Sequence, residues 1–233
     1  MEIKPIAHIV CGFTSKFGIP RQSGLAPSTQ ALIVFEEEYA VAEAVRGLEG
    51  FSHLWLIWQF SEALREDWSP TVRPPRLGGN TRMGVFATRS PFRPNALGLS
   101  SVKLEKVTLD DRHQPVLHIS GADLMDGTPI FDIKPYLTTT DCHPQARDGF
   151  VENHSDYTVE VRWPETSCPV LPETDRLALQ EILSQDPRPA YHHDPRRSYA
   201  FEYGAYAIRF HVEGHILTVE EISCGESTSP NKP

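Results

Sequence analysis

The sequence has few cysteines, no long hydrophobic run and no overall excess of basic side chains. Its four cysteines lie 131, 26 and 56 residues apart, and none forms a CxxC pair. Disulfide scaffolds and zinc sites need closer spacing, so we expect free thiols in a reducing compartment. The most apolar run, residues 54–60, is far shorter than the roughly 20 residues of a membrane helix, and residues 1–5 carry no secretory signal. We therefore predict a soluble cytoplasmic protein.

Several catalytic signatures are also missing. The patterns HExxH, GxSxG, GxGxxG and GxxxxGK[ST] do not occur, which argues against zinc proteases, common serine hydrolases and the usual nucleotide cradles. Among ten histidines, the densest metal-binding candidate is the run Asp141-Cys142-His143. Adjacent side chains on an extended chain point to opposite faces, so we predict that no metal is bound. A hydrolase with an unrecognised triad stays possible.

The charge is distributed unevenly along the chain. The formal charge of −9, from 22 basic and 31 acidic residues, argues against a general polyanion binder. Residues 69–104, however, contain five arginines, one lysine and no Asp or Glu, so this window carries +6 and the rest carries −15. Its arginines lie in loops rich in proline and glycine, and arginine suits carboxylate or phosphate recognition. The alternative is a solvated rim whose arginines pair with the acidic remainder.

Proline punctuates short runs of apolar residues. The chain has 20 prolines, well above the usual ~5% share, and most connections are too short for helical crossovers. The prediction is a mainly β protein built on a small antiparallel β-barrel. One helix is expected at 37–48, and the run 51–60 is expected to be a strand buried on both faces. The other expected strands are residues 6–10, 31–35, 83–88, 97–109, 116–119 and 130–133.

The composition changes after residue 137, where a polar stretch without periodicity begins. Beyond it, we expect a strand at 158–163, a helix at 174–185 and a hairpin of residues 205–212 and 215–222. These elements define a smaller α+β unit. The predicted organisation is a barrel domain at 1–140, a C-terminal α+β domain at 141–222 and a flexible tail at 223–233.

Seven motifs follow one another along the chain. They are PRQ at 20–22, GLEGFSHLW at 47–55, RPPRLGGN at 73–80, GVFATRSPFRPN at 84–95, DGTP at 126–129, DIKPY at 132–136 and QDPRPAY at 185–191. Each motif alone is weak, but together they cover nearly the whole chain and are specific in order. This ordered set resembles the TsaA-like family, the TrmO group of tRNA methyltransferases.

This resemblance implies a barrel that binds S-adenosylmethionine and acts as a homodimer. It also implies methylation of N6 of N6-threonylcarbamoyladenosine at position 37, in the anticodon loop of a threonine tRNA. At Ser61 and Glu62, a family cofactor position, another member has His-Gln, which leaves backbone contacts as the expectation there. The other implied cofactor contacts are Pro20, Arg21, Gln22, Arg89, Leu99, Asp126, Gly127, Thr128 and Pro129.

Methyl transfer from a sulfonium is an in-line displacement. The acceptor nitrogen must lie about 3–3.5 Å from the methyl carbon, and its lone pair is delocalised until its proton leaves. A proton acceptor is therefore expected, and the substrate's own threonyl carboxylate is one candidate. The side-chain candidates are Asp126, Asp132, Asp186 and Tyr191. The candidates for contacts with anticodon phosphates or that carboxylate are Arg73, Arg76, Arg93 and Arg188.

Two bland interpretations stay open beside the catalytic one. Asp126 can simply form a turn, and Asp186 can simply end a helix. A different function is also compatible with these motifs, namely a non-catalytic barrel that binds S-adenosylmethionine as a sensor or scaffold. Methyl incorporation into tRNA distinguishes this function from catalysis.

Overall fold

The computed structural model describes residues 2–65, 67–74, 77, 81–154, 157–164, 171–189 and 194–224. Two α-helices lie in these ranges, α1 (Thr138–Asp141) and α2 (Glu173–Ser184). No helix in these ranges has the length and apolar character that a membrane crossing requires. The strands are β1 (Ala7–Cys11), β2 (Gln30–Phe35), β3 (His53–Gln59), β4 (Thr71–Val72), β5 (Met83–Gly84), β6 (Leu97–Leu109), β7 (Pro115–Ser120), β8 (Pro129–Pro135), β9 (Glu160–Arg162), β10 (Tyr199–Tyr203), β11 (Tyr206–Glu213) and β12 (Ile216–Cys224).

Six strands close a barrel in the order β1-β2-β7-β6-β3-β8, and each neighbouring pair is antiparallel. Strand residues alternate between the two faces, so Ile9, Ile33, Leu56 and Leu117 are fully buried in the barrel core. The seam forms where Ala7 pairs with β8. The predicted antiparallel barrel is confirmed.

A second sheet has the order β10-β11-β12-β9, in which only the β12–β9 pair is parallel. Helix α2 packs on it and buries Ala178, Leu179, Ile182 and Leu183. The loop between β1 and β2 adds Phe13 to the same core, where its ring lies 5.1 Å from that of Tyr203. This loop therefore packs against the second sheet, and its backbone is held in place for the site described below.

The predicted helix at 37–48 is wrong. The chain instead forms two 3₁₀ turns, Ala42–Val45 and Leu48–Gly50, neither of which contains a buried residue. Gly47 lies between them with φ of 87°, a left-handed conformation that interrupts a helix. Without a face to bury, the helical spacing of apolar residues gains little stability.

Three strand predictions also need correction. The expected strand at 83–88 ends at Gly84 and continues as a 3₁₀ turn, Val85–Ala87. The run at 51–60 becomes β3, in which Leu54, Leu56 and Trp58 are buried while the intervening residues are only half-buried or exposed. Strand β10 had no counterpart in the predictions. Strand β12 continues to Cys224, past the predicted start of the tail, and residues 225–233 lie outside the described residues.

Candidate functional site

A cleft of about 890 Å³ opens where four segments of the chain meet. These are the loop after β1, the end of β3 with the turn that follows it, the arginine-rich loop that leads into β6, and the loop before β8. Three of the four segments are irregular, and the barrel strands hold their ends. The barrel itself also contributes to the cleft wall, through Trp58 of β3, Gly98 of β6 and Thr128 in the turn before β8.

The structure gathers most of the predicted cofactor residues in this cleft. The ones that line it are Pro20, Arg21, Gln22, Ser61, Glu62, Arg89, Leu99 and Thr128. Asp126, Gly127 and Pro129 adjoin Thr128 along the chain but are not among the lining residues. Contact of any of these residues with a cofactor stays a prediction.

A chain of hydrogen bonds joins three sequence motifs at the cleft. Arg89 donates from Nη1 to Oε1 of Gln22, and Gln22 donates from Nε2 to the carbonyl oxygen of Arg21. Arg21 in turn donates from Nη2 to the carbonyl oxygen of Asp186, at 3.0 Å. Residues from the first loop, the arginine-rich loop and the end of α2 are thereby fixed relative to one another. No sequence periodicity connects these segments.

The predicted substrate arginines have different environments. Arg93 lines the cleft, but its Nη1 donates to the carbonyl oxygens of Thr88 and Ser90 at 3.0 and 3.4 Å, so it also braces its own loop. Arg73 is exposed and lies outside the cleft lining. Arg76, together with the catalytic candidate Tyr191, lies outside the described residues.

Asp123 is a cleft residue that the sequence analysis missed. Its Oδ1 accepts a hydrogen bond of 2.5 Å from Oγ of the buried Ser100, which itself accepts one of 2.9 Å from Nε1 of Trp58. Burial raises the pKa of the Asp123 carboxyl, although the Ser100 hydrogen bond and the positive charge of Arg89 act in the opposite direction. The sequence feature that could have identified Asp123 is an acidic residue within the otherwise apolar run 122–125, just before the DGTP motif.

Asp126 has a structural role at the end of β1. Its Oδ1 accepts a hydrogen bond of 2.9 Å from the backbone N–H of Cys11, and its own N–H donates to the carbonyl oxygen of Phe13. Gly127 follows with φ of 72°, as a turn requires. Burial, with the nearby Asp126 charge adding to it, raises the pKa of the Cys11 thiol to about 12. The interpretation of Asp126 as a turn residue agrees with these contacts.

Asp186 and Arg188 form a buried ion pair outside the cleft lining. Burial by itself would raise the pKa of the Asp186 carboxyl, but hydrogen bonds and charge from Arg188 hold it below its usual value. Tyr157 donates from its hydroxyl to Oδ2 of Asp186 at 3.1 Å. The guanidinium of Arg188 is thus directed at Asp186, and its side chain is only 10% exposed. Asp132, the remaining candidate, is ion-paired with Lys134 at 2.9 Å.

The cleft offers groups suited to a molecule with aromatic and zwitterionic parts. Phe60 and Trp58 present rings whose centroids lie 4.3 Å apart, and Phe86 and Phe92 add two more rings. Arg21, Arg89 and Lys16 supply cationic donors, while Asp123 and Glu62 supply carboxylates. In the part of the chain that is described, no group of three or more His, Cys, Asp or Glu side chains could hold a metal ion.

The chain matches two family models. They are the tRNA-methyltransferase O N-terminal domain, over residues 8–142, and the TrmO C-terminal domain, over residues 157–224. A tRNA (adenine(37)-N6)-methyltransferase of Escherichia coli strain K12 is 39% identical over 228 residues, covering 91% of this chain and 93% of that protein.

Matches from Pseudomonas aeruginosa include a curated sequence and a crystal structure. The sequence, which its name provisionally assigns to the S-adenosylmethionine-dependent methyltransferases, is 38% identical over 234 residues, covering 97% of this chain and 99% of that one. A crystal structure of TrmO from that species superposes with a TM-score of 0.76 at 31% identity, and the match covers 97% of each chain.

Proposed function

The chain belongs to the TrmO family of S-adenosylmethionine-dependent tRNA methyltransferases, and we propose that it methylates N6 of N6-threonylcarbamoyladenosine at position 37 of a threonine tRNA. One observation carries this proposal. Predicted cofactor residues from segments distant in sequence line a single cleft, and an arginine-rich loop forms part of its wall. The cleft therefore supports a cofactor site next to a site for an anionic substrate.

The residues of the cleft fit S-adenosylmethionine. Aromatic side chains such as Trp58 and Phe60 suit the adenine ring, the Glu62 carboxylate suits the ribose hydroxyls or the ammonium group of the cofactor, and Arg89 suits the cofactor's carboxylate. When bound, the cofactor supplies an electrophilic methyl group on a sulfonium sulfur. The cleft volume of about 890 Å³ lies at the upper end of the range of small-molecule sites, which leaves room for an acceptor nucleoside.

We assign proton acceptance to Asp123. The acceptor nitrogen becomes nucleophilic only when its proton leaves, so a proton acceptor is needed beside it, and a carboxylate that lines the cleft can serve. The other cleft carboxylate, Glu62, forms an ion pair of 3.2 Å with Lys16. Asp126 accepts a backbone N–H outside the lining, and Asp186 is paired with Arg188, so both are engaged elsewhere. A raised pKa brings Asp123 closer to the working pH and makes it a better base.

We further propose that the protein is a cytoplasmic homodimer, as expected for a member of this family that acts on tRNA. Leu97 and Leu99 support the dimer, because these cleft residues of β6 are 37% and 57% exposed. A second copy that covered them would also shield the cleft from water. Light scattering on the purified protein tests the dimer through its mass.

The function is tested by mass spectrometry of nucleosides from treated tRNA. Incubation with S-adenosylmethionine should add one methyl group to N6-threonylcarbamoyladenosine, and the matched control is the same tRNA with plain adenosine at position 37. Equal methylation of both tRNAs would show that the threonylcarbamoyl group is not recognised. Cofactor binding without any methylated nucleoside would support the sensor or scaffold function instead.

A further inference from the structure

Two large aromatic side chains, Trp68 and Phe86, are exposed on either side of the β4–β5 ribbon. Phe86 is 75% exposed and Trp68 is 53% exposed. Their ring centroids lie 6.3 Å apart and their planes are inclined by 32°. Aromatic residues normally bury most of their surface, so an exposed pair requires a separate explanation. We call Trp68 and Phe86 the aromatic pair.

The backbone holds the aromatic pair in place. Strands β4 and β5 form a two-stranded ribbon in which Thr71 pairs with Gly84 and Val72 with Met83. The N–H of Val85 donates to the carbonyl oxygen of Pro70 at 2.9 Å, and the Val85 side chain is 1% exposed. Trp68 precedes this ribbon and Phe86 follows it, so the backbone that carries both rings is held in place and has little entropy to lose on binding.

The aromatic pair connects directly to the cleft. Phe86 is a lining residue, as is Phe92, which is 40% exposed. The guanidinium carbon of Arg65 lies 3.8 Å from the centroid of the Phe92 ring. A molecule bound in the cleft can therefore continue along a path of ring faces and guanidinium groups.

Charge around the aromatic pair favours a polyanion. Arg73 and Arg82 are exposed on or beside the ribbon, and Arg82 donates to Oγ1 of Thr71 at 3.2 Å. Asp67 is adjacent to Trp68, but residues 69–104 carry no acidic side chain and a charge of +6. Aromatic faces combined with cations recognise unpaired nucleotides, because each base offers a π-face and each phosphate a negative charge.

We propose that the aromatic pair is a stacking platform for the unpaired bases that flank the target adenosine in an RNA loop. The inference rests on the proposed function for the identity of the RNA, and it adds the residues that would hold the neighbouring nucleotides. Stacking of a flanking base on Phe86 leaves the target base free to enter the cleft. Every base stacks, so the platform contributes affinity and position and little sequence preference.

Binding of an anticodon stem–loop RNA that carries 2-aminopurine beside the target adenosine tests the platform. Anisotropy measures affinity, and the fluorescence of 2-aminopurine is quenched when it stacks. Phe86→Ala should weaken binding about tenfold and remove the quench. Phe86→Leu keeps an apolar side chain without a π-face and should weaken binding and remove the quench to the same extent as Phe86→Ala. Phe86→Trp should keep both the parental affinity and the quench. The control is Leu109→Ala, at an exposed apolar residue outside the cleft lining.

The outcomes separate this inference from its alternatives. Binding by Phe86→Ala or Phe86→Leu within about twofold of the parent would overturn the platform. If a Phe86 variant differs from the parent in its mass by light scattering but binds the RNA with the same affinity, a second copy of the chain covers the aromatic pair. That result also overturns the platform. If the parent binds and quenches but methylates no tRNA, the platform stands and the proposed function fails.

Discussion

The carboxylate of Asp186 accepts two hydrogen bonds of 2.8 Å from the guanidinium of Arg188, two residues further along the chain. Asp186 has φ of 48°, a left-handed conformation, and its side chain is 7% exposed. Its carbonyl oxygen also accepts the hydrogen bond from Arg21. This residue therefore follows the end of α2, pairs with a buried cation and connects the first loop to the C-terminal end of that helix.

Replacing Asp186 should destabilise the protein strongly. In Asp186→Asn the Arg188 guanidinium is left buried without its counter-charge, which costs about 3–5 kcal/mol in comparable pairs. The pKa of Asp186 is lowered in the folded state, so the pair stabilises at pH values above the ordinary carboxyl pKa. This contribution is lost as the pH falls through the lowered pKa. Urea unfolding of the parent and of Asp186→Asn at pH 7 measures the difference in unfolding free energy.

The control for that variant is Asp194→Asn. Asp194 is exposed and lies 3.9 Å from Arg196, a weak surface pair that should contribute under 1 kcal/mol. Equal unfolding free energies for the Asp186 and Asp194 variants would contradict a structural role for the buried pair.

Asp123→Asn should abolish most of the methyl transfer without loss of cofactor affinity. Removing a general base typically lowers the rate by about 10²–10⁴-fold. The parent should lose activity in acid as Asp123 becomes protonated, with a midpoint above the ordinary carboxyl pKa because burial raises the pKa. Ser100→Ala removes a hydrogen bond that favours the ionised form, so the acid limb should move to higher pH. An unchanged pH profile in Ser100→Ala would exclude Asp123 as the titrating group.

Arg89→Ala should weaken S-adenosylmethionine binding while the fold is retained. Arg89 is exposed in the cleft, where it binds Gln22, so its loss removes a cation and frees that glutamine. Isothermal titration calorimetry measures the affinity, and thermal unfolding monitors the fold. Arg112→Ala, in the exposed turn between β6 and β7, is the matched control. Equal cofactor affinity for the two variants would remove Arg89 from the cofactor site.

Gly98→Ala should damage the cleft from within the barrel wall. A Cβ at this position would overlap the indole of Trp58, whose Nε1 holds Ser100. We expect a loss of about 1–3 kcal/mol in unfolding free energy, together with weaker cofactor binding. Gly50→Ala has no atom within 4 Å of the new Cβ and should leave both quantities unchanged. A Gly98 variant with parental stability would mean that the Trp58 ring moves freely.

Cys11 should resist alkylation in the native protein. Its pKa of about 12 leaves almost no thiolate at pH 8, and the thiol also donates to the carbonyl oxygen of Leu124 at 3.4 Å. Cys142 and Cys224 are exposed and free, so iodoacetamide should label them first. Peptide mass spectrometry follows the order of labelling. Modification of Cys11 as fast as Cys142 would contradict the buried environment of its thiol.

The barrel could be predicted from sequence because its signals are local. Alternating apolar residues in β6 and short connections identify antiparallel strands, and the 97–109 bounds were predicted correctly. Helix α2 was also predicted within one residue at each end. The missing helix at 37–48 shows the limit, since helical spacing alone gives no stability when no surface is available to cover the apolar face.

The cleft was predictable only in part. The PRQ and DGTP motifs lie in segments that contribute to the cleft lining. Asp126 was chosen as a catalytic candidate because its motif is conspicuous, whereas Asp123, three residues earlier, lies in the cleft lining. Which of the two carboxylates faces the cleft depends on the path of the chain before β8, and on its pairing with β1 and Ser100. Such contacts between distant segments leave no periodic trace in the sequence.

The parallel pairing of β9 with β12 also sets an order of events during synthesis. All strands of the barrel are complete once the chain has been synthesised to Pro135. Strand β9, in contrast, can pair only after β12 has been synthesised, because Val161 of β9 pairs with Leu217 of β12. At roughly 5–20 residues per second, translation of the intervening chain takes on the order of ten seconds. The barrel can close on the ribosome in that interval, while the apolar face of α2 is still without the sheet that covers it. During that interval the nascent chain exposes apolar side chains of α2, such as Leu179 and Ile182, that the complete protein buries.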